Sequence, residues 1–170
     1  DPLCEAVERA VSAGIVVVVA AGNDGQTRDG TPVFASITSP GNSPRALTVG
    51  AIDTHATPLR SDDTVAAYSS RGPTRFDLLP KPNVVAPGSH IVSAEANGSY
   101  LSRAYPERHV TGSGPQAYIQ LSGTSMSAGV VSGTVALLLQ EQRLSPADAV
   151  AVVQLTSSFL PSAGLVEQGA

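Results

Sequence analysis

A chain of 170 residues is long enough for one domain with a sizeable hydrophobic core, and short for two. Hydrophobic residues make up 42% and charged residues 14%, which indicates a soluble globular protein and excludes a disordered one. The formal charge of -4, with Lys81 as the one lysine and no basic cluster, gives no electrostatic basis for binding nucleic acid. No apolar run approaches the roughly 18 residues of a membrane span, so neither nucleic acid nor a membrane is an expected partner.

The first twenty residues predict one α/β unit. Asp1 stands at an N-cap position, Pro2 at the first helical position and Gly14 at the stop of an amphipathic helix. A continuous β-branched run begins at Ile15 and shows no alternation. Such a run is typical of a strand that is buried on both faces of a parallel sheet.

Further elements follow in chain order between segments rich in Gly, Pro and Ser. Strands are predicted over residues 46–52, 64–70, 83–88, 90–95 and 117–122. Residues 96–116 show no sustained periodicity, and we interpret them as an exposed insertion. A helix is predicted over roughly Ser125 to Gln142, and a last one from Pro146 to about Ser157 after Ser145 as its N-cap. The pattern predicts a predominantly parallel α/β sheet with helices on both faces.

A cluster of hydroxyl residues and glycines, QLSGTSMSAG, stands where the long helix begins. Ser122, Thr124 or Ser125 could each be an N-cap, which satisfies free N–H groups at a helix start. Gly123, however, removes side-chain bulk just before Ser125, and this clearance suits a nucleophilic hydroxyl that a substrate carbonyl must reach. The helix N-terminus also places N–H groups beside a developing oxyanion. Small residues farther along thin one helical face, so that other backbone can approach it: Gly129, Ser132 and Gly133.

A second oxyanion donor is offered by Asn23 in the segment VVAAGNDG. Asn23 lies just past the C-terminal end of the first buried strand, where open parallel α/β sheets place their sites. Asn-Asp-Gly is also ordinary turn chemistry, so Asn23 taken alone could be a turn residue.

Five segments in this order resemble the subtilisin-like serine proteases, or subtilases: VVVVAAGNDG, ALTVGAID, AYSSRGPT, KPNVVAPGSHIVSA and SGTSMSAGVVSGTVALL. The resemblance spans nearly the whole chain apart from residues 96–116. It implies a subtilisin-like fold and hydrolysis of peptide bonds. It also implies that Ser125 is the nucleophile, and that the Asn23 side chain and the Ser125 backbone N–H are the oxyanion donors.

The resemblance further implies a substrate cleft with Thr38 near the floor of its primary specificity pocket. The cleft residues expected from it are Ala20, Ala21, Gly22, Thr38, Gly123 and Thr124. The chemistry requires no cofactor and no metal ligand. Calcium often ties down loops in this family, and the loop carbonyls near Ser39 to Asn42 are a candidate, although no dense carboxylate cluster accompanies them.

The catalytic histidine and aspartate motifs of the family, His-Gly-Thr-His and Asp-[Ser/Thr]-Gly, do not occur in this sequence. A serine hydroxyl needs such a base to become a nucleophile. The contexts of His55, His90 and His109 differ from the family's catalytic histidine, and we interpret all three as loop or strand-edge residues. We therefore expect residues 1–170 to be the C-terminal part of a subtilase catalytic domain, inactive without a missing N-terminal part.

Two functions remain open at this point. The first is an exported serine endopeptidase whose base and acid precede Asp1. The second is a catalytically dead subtilase-like module that binds peptides or partners through the same cleft, with Ser125 only as a cap. Expected partners are a peptide or protein substrate and the missing part of the domain. An open sheet edge also predicts domain exchange or self-association.

Overall fold

The computed structural model describes residues 1–141 and 143–169. The helices are α1 (Pro2–Ser12), α2 (Tyr100–Ala104), α3 (Thr124–Glu141), α4 (Pro146–Thr156) and α5 (Leu165–Gln168). The strands are β1 (Val18–Ala20), β2 (Leu47–Asp53), β3 (Thr64–Val65), β4 (Val84–Pro87), β5 (Ile91–Ala94), β6 (His109–Thr111) and β7 (Tyr118–Leu121).

Three parallel strands form the centre of the fold, as the sequence predicts. β2 lies in the middle and pairs in parallel with β1 on one side and with β4 on the other. β3 adds a short antiparallel pair to the end of β2. The carboxyl ends of β1 and β4 therefore lie at the same edge of the sheet, one on each side of β2.

Helices cover both faces of this sheet, which confirms the predicted α/β architecture. The Asp1 carboxylate caps α1 by accepting a hydrogen bond from the Leu3 N–H at 2.9 Å. On this face, α1 packs through Val7 and Val11 against Ala46, with Val17 and Val19 beside them. On the opposite face, α3 contributes Val131 and Val135, and α4 contributes Val150 and Val153, to a cluster with Leu47, Val49, Val84 and Ala86.

β1 is shorter and less buried than the β-branched run predicts. Its residues are only half-buried, and Ile15 is 56% exposed. Successive valines do point toward the two helical layers, but β2 is the one strand that pairs with β1 among the described residues. The outer edge of β1 is therefore open, and self-association through it stays a prediction.

The predicted strand over residues 64–70 is reduced to two residues. The backbone of the following segment bonds to the loop after β1 instead of to a strand. The Ser70 N–H donates to the Gly22 carbonyl at 3.0 Å, and the Gly25 N–H donates to the Tyr68 carbonyl at 2.9 Å.

A second, fully antiparallel sheet has the strand order β5–β7–β6, so the complete fold is mixed. Residues 96–116, for which no periodicity is apparent, contain α2 and β6. Ser99 caps α2 by accepting a hydrogen bond from the Ser102 N–H at 3.2 Å. β6 is stabilised by pairing with β7, an interaction that its own sequence does not reveal.

The two long C-terminal helices agree with the sequence prediction. α3 begins at Thr124, and its predicted end at Gln142 lies outside the described residues. α4 is capped by Ser145, whose hydroxyl accepts a hydrogen bond from the Asp148 N–H at 3.2 Å. The prediction that other backbone packs closely against the small residues of α3 is not met at Gly129 and Gly133. No described atom outside the helix backbone comes within 4 Å of where a Cβ would stand at Gly129 or Gly133. No described helix is long and apolar enough to cross a membrane.

Candidate active site

The segment after β1 is fixed at the carboxyl edge of the central sheet. The Ala21 N–H donates to the Val49 carbonyl of β2 at 2.9 Å, and the Ala21 carbonyl accepts from the Thr38 N–H at 3.0 Å. Gly22 has a φ of +110°, and a Cβ there would stand 2.6 Å from Thr38 Oγ1. Glycine at this position therefore allows the sharp turn that projects Asn23 beyond the sheet.

The start of α3 is fixed against the end of β4, on the other side of β2. The Gly123 N–H donates to the Gly88 carbonyl at 2.9 Å, and Ser127 Oγ donates to the Ala86 carbonyl at 2.9 Å. A Cβ at Gly88 would stand 2.2 Å from Ser127 Oγ, so the close approach requires glycine. The two fixed segments bring Asn23 and the N-terminus of α3 together over the carboxyl edge of the sheet.

Asn23 and Thr124 form the contact that joins the two segments. Asn23 Oδ1 accepts hydrogen bonds from the Thr124 N–H at 3.0 Å and from Thr124 Oγ1 at 3.1 Å. Thr124 Oγ1 in turn accepts from the Gly22 N–H at 3.2 Å. Because both bonds engage Oδ1, the Nδ2 group of Asn23 is directed away from Thr124 as a hydrogen-bond donor.

The hydroxyl groups at the start of α3 differ in their surroundings. Ser122 Oγ accepts from the His90 N–H at 2.9 Å, Thr124 bonds to Asn23, and Ser127 is buried against Ala86. Ser125 is exposed, and within the described part of the chain its hydroxyl has no hydrogen-bond partner. It lies inside the first turn of α3, one residue after Thr124. Its hydroxyl is therefore accessible beside backbone N–H groups of a helix N-terminus.

The expected cleft residues lie around the same point but differ in exposure. Ala20 and Gly22 are half-buried, and Thr38 is exposed. Ala21, Gly123 and Thr124 are buried, so a peptide could contact little of their surface.

Ser70 belongs to this site although the sequence analysis did not identify it. Its hydroxyl accepts a hydrogen bond from the Asp24 N–H at 3.0 Å, and its own N–H donates to the Gly22 carbonyl. Ser70 therefore holds the residues on either side of Asn23. Ser70 lies in AYSSRGPT, one of the five segments that resemble the subtilases, and this position could have identified it from the sequence.

The three histidines lie in other surroundings, and none hydrogen-bonds to Ser125 in the described chain. His55 Nε2 is 3.1 Å from Thr64 Oγ1, and His109 Nδ1 is 2.7 Å from Glu95 Oε2. His90 is an exposed loop residue with a φ of +57°. These positions agree with the interpretation of all three as loop or strand-edge residues.

No three His, Cys, Asp or Glu side chains cluster as metal ligands within residues 1–141 and 143–169. Two backbone oxygens of the loop at 39–42 accept hydrogen bonds from residues that follow it. The Pro40 carbonyl accepts from the Ser43 N–H at 2.9 Å, and the Gly41 carbonyl accepts from Thr48 Oγ1 at 2.7 Å. A calcium site in this loop stays a prediction.

Comparison with known proteins identifies the family and the fold of this chain. The model of the subtilase family matches residues 1–168. Serine protease AprX of Bacillus subtilis (strain 168) is 46% identical over 141 residues, which cover 83% of this chain and 29% of AprX. Among solved structures, S41 psychrophilic protease has a TM-score of 0.69 at 26% identity, covering 98% of this chain and 50% of that one. Sphericase has a TM-score of 0.66 at 29% identity, covering 91% of this chain and 43% of that one.

The chain belongs to the subtilase family, whose members similar to it include serine proteases. Its fold is subtilisin-like. The chain spans less than a third of AprX and at most half of the two solved chains.

Proposed function

We propose that this chain supplies the nucleophile and the oxyanion hole of a subtilisin-type serine endopeptidase. One observation carries the proposal: Ser125 has an exposed hydroxyl in the first turn of α3, beside an Asn23 whose amide is oriented by two bonds to Thr124. In the proposed site, Asn23 Nδ2 and the Ser125 N–H are the two N–H donors beside a nucleophile that acyl transfer requires.

The proposed reaction begins when Ser125 Oγ attacks the carbonyl carbon of the scissile peptide bond and a general base takes its proton. The carbonyl oxygen becomes an oxyanion that accepts hydrogen bonds from Asn23 Nδ2 and the Ser125 N–H. The C–N bond then breaks, and the base returns its proton to the leaving amine. Water hydrolyses the ester on Ser125 and restores the hydroxyl.

The base has to come from outside these 170 residues in this proposal. No described histidine hydrogen-bonds to Ser125, and the rings of His55 and His109 bond to Thr64 and Glu95 instead. The protease therefore requires a histidine and an aspartate from another part of the protein, and the chain by itself is expected to be inactive. Secretion, which the family resemblance implies, stays a prediction.

Peptide turnover by the natural protein tests the proposal. Ser125→Ala removes the attacking oxygen, so we expect turnover to fall to background. Ser132→Ala is the matched control, because it removes an exposed hydroxyl from the same helix. That hydroxyl donates to the Ala128 carbonyl of its own helix at 2.7 Å. Turnover that survives Ser125→Ala would refute the assigned role.

A catalytically dead binding module is the second candidate function. It is favoured by the absence of a histidine contact to Ser125 among the described residues. In this case the natural protein and its Ser125→Ala variant would bind peptides in the cleft with equal affinity. Neither protein would cleave them. Binding without cleavage therefore separates this candidate from the protease.

A further inference from the structure

A cavity of about 570 Å³ is lined by residues of β4, α3 and α4 and of the segment 54–63. We call it the β4 cavity. Its walls are mainly aliphatic, and they include Val84, Ala86, Val131, Leu138 and Val153. A cavity of this size with aliphatic walls and a few polar groups is typical of sites that bind small molecules.

Asp63 is a charged group in the lining of the β4 cavity, and it is only 8% exposed. Within residues 1–141 and 143–169, its carboxylate has neither a hydrogen bond nor an ion pair. No described side-chain oxygen is both sealed from solvent and unpartnered, so the carboxylate of Asp63 keeps a small accessible surface. Because a buried carboxylate without a partner costs free energy, a cationic donor bound in the cavity would stabilise it.

The hydroxyl groups that line the same cavity donate to other acceptors. Thr57 Oγ1 donates to the Asp62 carboxylate at 3.0 Å. Thr134 and Thr156 each donate to the backbone carbonyl four residues earlier in their own helices, at 3.1 and 2.8 Å. Asp63 therefore differs from these polar groups, because its acceptor oxygens remain available to a ligand.

Arg60 is a second charged group of the β4 cavity. It is exposed, and its guanidinium group has no hydrogen bond or ion pair in the described part of the chain. Arg60 begins a single 3-10 turn, and the Asp63 N–H closes this turn on the Arg60 carbonyl at 3.4 Å. Residues three positions apart in such a turn lie on the same side. A ligand whose ammonium group binds Asp63 can therefore place a carboxylate near Arg60.

We infer that the β4 cavity binds a small molecule that carries an ammonium group on an aliphatic body, either a simple amine or an apolar amino acid. The ammonium group donates to the Asp63 carboxylate, and the aliphatic body packs against Val84, Val131 and Val153. The inference goes beyond the proposed function and does not depend on it, since neither Ser125 nor Asn23 lines this cavity.

Binding of 3-methylbutylamine to the natural protein, followed by ligand-observed NMR, tests the inference. The matched probe is 3-methylbutanol, which has the same aliphatic body and a hydroxyl group in place of the ammonium group. We expect the amine to bind at least about tenfold more tightly, because its bond to Asp63 is charge-assisted. Ethylamine, which has less aliphatic surface, should bind about tenfold more weakly than 3-methylbutylamine.

Two results of this comparison would overturn the inference. One is equal affinity for the amine and the alcohol, which would show that Asp63 does not recognise the charge. The other is the absence of amine binding, which would follow if another part of the natural protein fills the cavity.

Substitution of Asp63 locates the charged contact. Asp63→Asn should remove the advantage of the amine over the alcohol. Asp62→Asn is the matched control and should keep it, because Asp62 is an exposed neighbouring carboxylate outside the lining of the cavity. Thermal unfolding checks that both variants are folded. An advantage that survives Asp63→Asn would also overturn the inference.

A second substitution tests the aliphatic wall without altering Asp63. Val130→Phe narrows the cavity from a partly exposed position on α3, and it should weaken binding of the amine by at least about tenfold. Val110→Phe is the control, since Val110 is a similarly exposed valine of β6 outside the cavity. Unchanged affinity in Val130→Phe would contradict binding at this place.

Leucine and 4-methylpentanoate distinguish the two ligand sources. Tighter binding of leucine than of 3-methylbutylamine, with the difference lost in Arg60→Gln, would identify an amino acid as the ligand. Leucine that binds no more tightly than the amine would identify a simple amine, and either result supports the inference. If 4-methylpentanoate, which lacks the ammonium group, binds as tightly as leucine, the inference is wrong.

The outcome is independent of peptide cleavage, because none of these probes contains a peptide bond. Ser125→Ala should bind 3-methylbutylamine with unchanged affinity. Loss of turnover with retained amine binding would therefore concern the proposed protease alone, and turnover without amine binding would refute the β4 cavity site alone.

Discussion

The amide of Asn23 is oriented before any substrate binds. Its oxygen is engaged by two donors of one buried residue, Thr124. In the proposed mechanism its N–H group would therefore not have to reorganise when negative charge develops. A preoriented donor of this kind stabilises an oxyanion more strongly than water does, because no reorganisation accompanies the reaction.

Asn23→Leu tests the oxyanion role of the side chain. We expect kcat of the natural protein to fall by about 100- to 1,000-fold, the size of the loss that removal of an oxyanion-hole donor causes in subtilisin. Asn97→Leu, at an exposed position, is the control and should leave kcat unchanged. Steady-state kinetics with one peptide measures both, and unchanged turnover in Asn23→Leu would remove Asn23 from the mechanism.

In the proposed mechanism, Thr124 is a positioning residue for Asn23. Thr124→Val keeps the shape of the side chain but removes the hydroxyl that bonds to Asn23 and Gly22. We expect kcat to fall by about 10- to 100-fold with little change in KM, since a misplaced donor weakens binding of the transition state. Thr124→Ser retains the hydroxyl and should restore most of kcat. Equal losses in the two variants would indicate a purely structural role.

At the level of secondary-structure elements, Arg71 connects α5 to the loop after Asn23. Its side chain is buried, and it donates to Glu167 at 2.9 Å through Nε and to the Gly25 carbonyl through a terminal nitrogen. The adjacent Gly72 N–H donates to the Val166 carbonyl at 2.8 Å. The loop after Asn23 and α5 are therefore held by the same segment.

Arg71→Met should lower the free energy of unfolding by about 2–3 kcal/mol, because the Gly25 carbonyl and Glu167 both lose a charged donor. Chemical denaturation of the natural protein measures the change. Arg75→Met is the control, since Arg75 is exposed and lies on the same connection. A loss no larger in Arg71→Met than in Arg75→Met would show that the buried contacts contribute little.

The elements that could be predicted from the sequence are those with local determinants. α1 and α4 are marked by Asp1 and Ser145 as caps and by proline at the next position. α2 and β6 could not be predicted, because they depend on contacts with Glu95 and with β7. α5 likewise depends on contacts outside the helix, because the Gln168 side chain bonds to both the N–H and the carbonyl of Leu160.

The candidate site was predictable in part. Ser125 and Asn23 stand out by their glycine surroundings and by the family resemblance. Their juxtaposition depends on the bond between Asn23 and Thr124, which are 101 positions apart, and local patterns do not report such a contact. The same holds for Ser70, whose role follows from its contact with Asp24.

At the scale of the whole molecule, Lys81 makes stability depend on pH. It is 2% exposed, and its Nζ donates to the Ala46 carbonyl and to Asn83 Oδ1, each at 2.7 Å. Burial lowers the pKa of Lys81 from 10.5 to about 8, although Glu8 and Asp77 act in the opposite direction. Between these two pH values the unfolded chain binds more protons than the folded one, so stability rises with pH.

This linkage predicts that Lys81 contributes about 3 kcal/mol more to folding at pH 10.5 than at pH 7. Unfolding of the natural protein and of its Lys81→Met variant should be compared across this range. Above pH 8 the unfolding free energy of the natural protein should rise relative to that of Lys81→Met. A difference independent of pH would show that Lys81 has an ordinary pKa in the folded state.

Covalent labelling of Ser125 tests the central claim most directly. A fluorophosphonate reacts with a serine only when that serine is activated as a nucleophile, so the natural protein should gain one adduct at Ser125, located by mass spectrometry of its peptides. Ser125→Ala should abolish the adduct, and Ser132→Ala should retain it. No adduct, or an adduct at another serine, would contradict the assignment of Ser125 as the nucleophile.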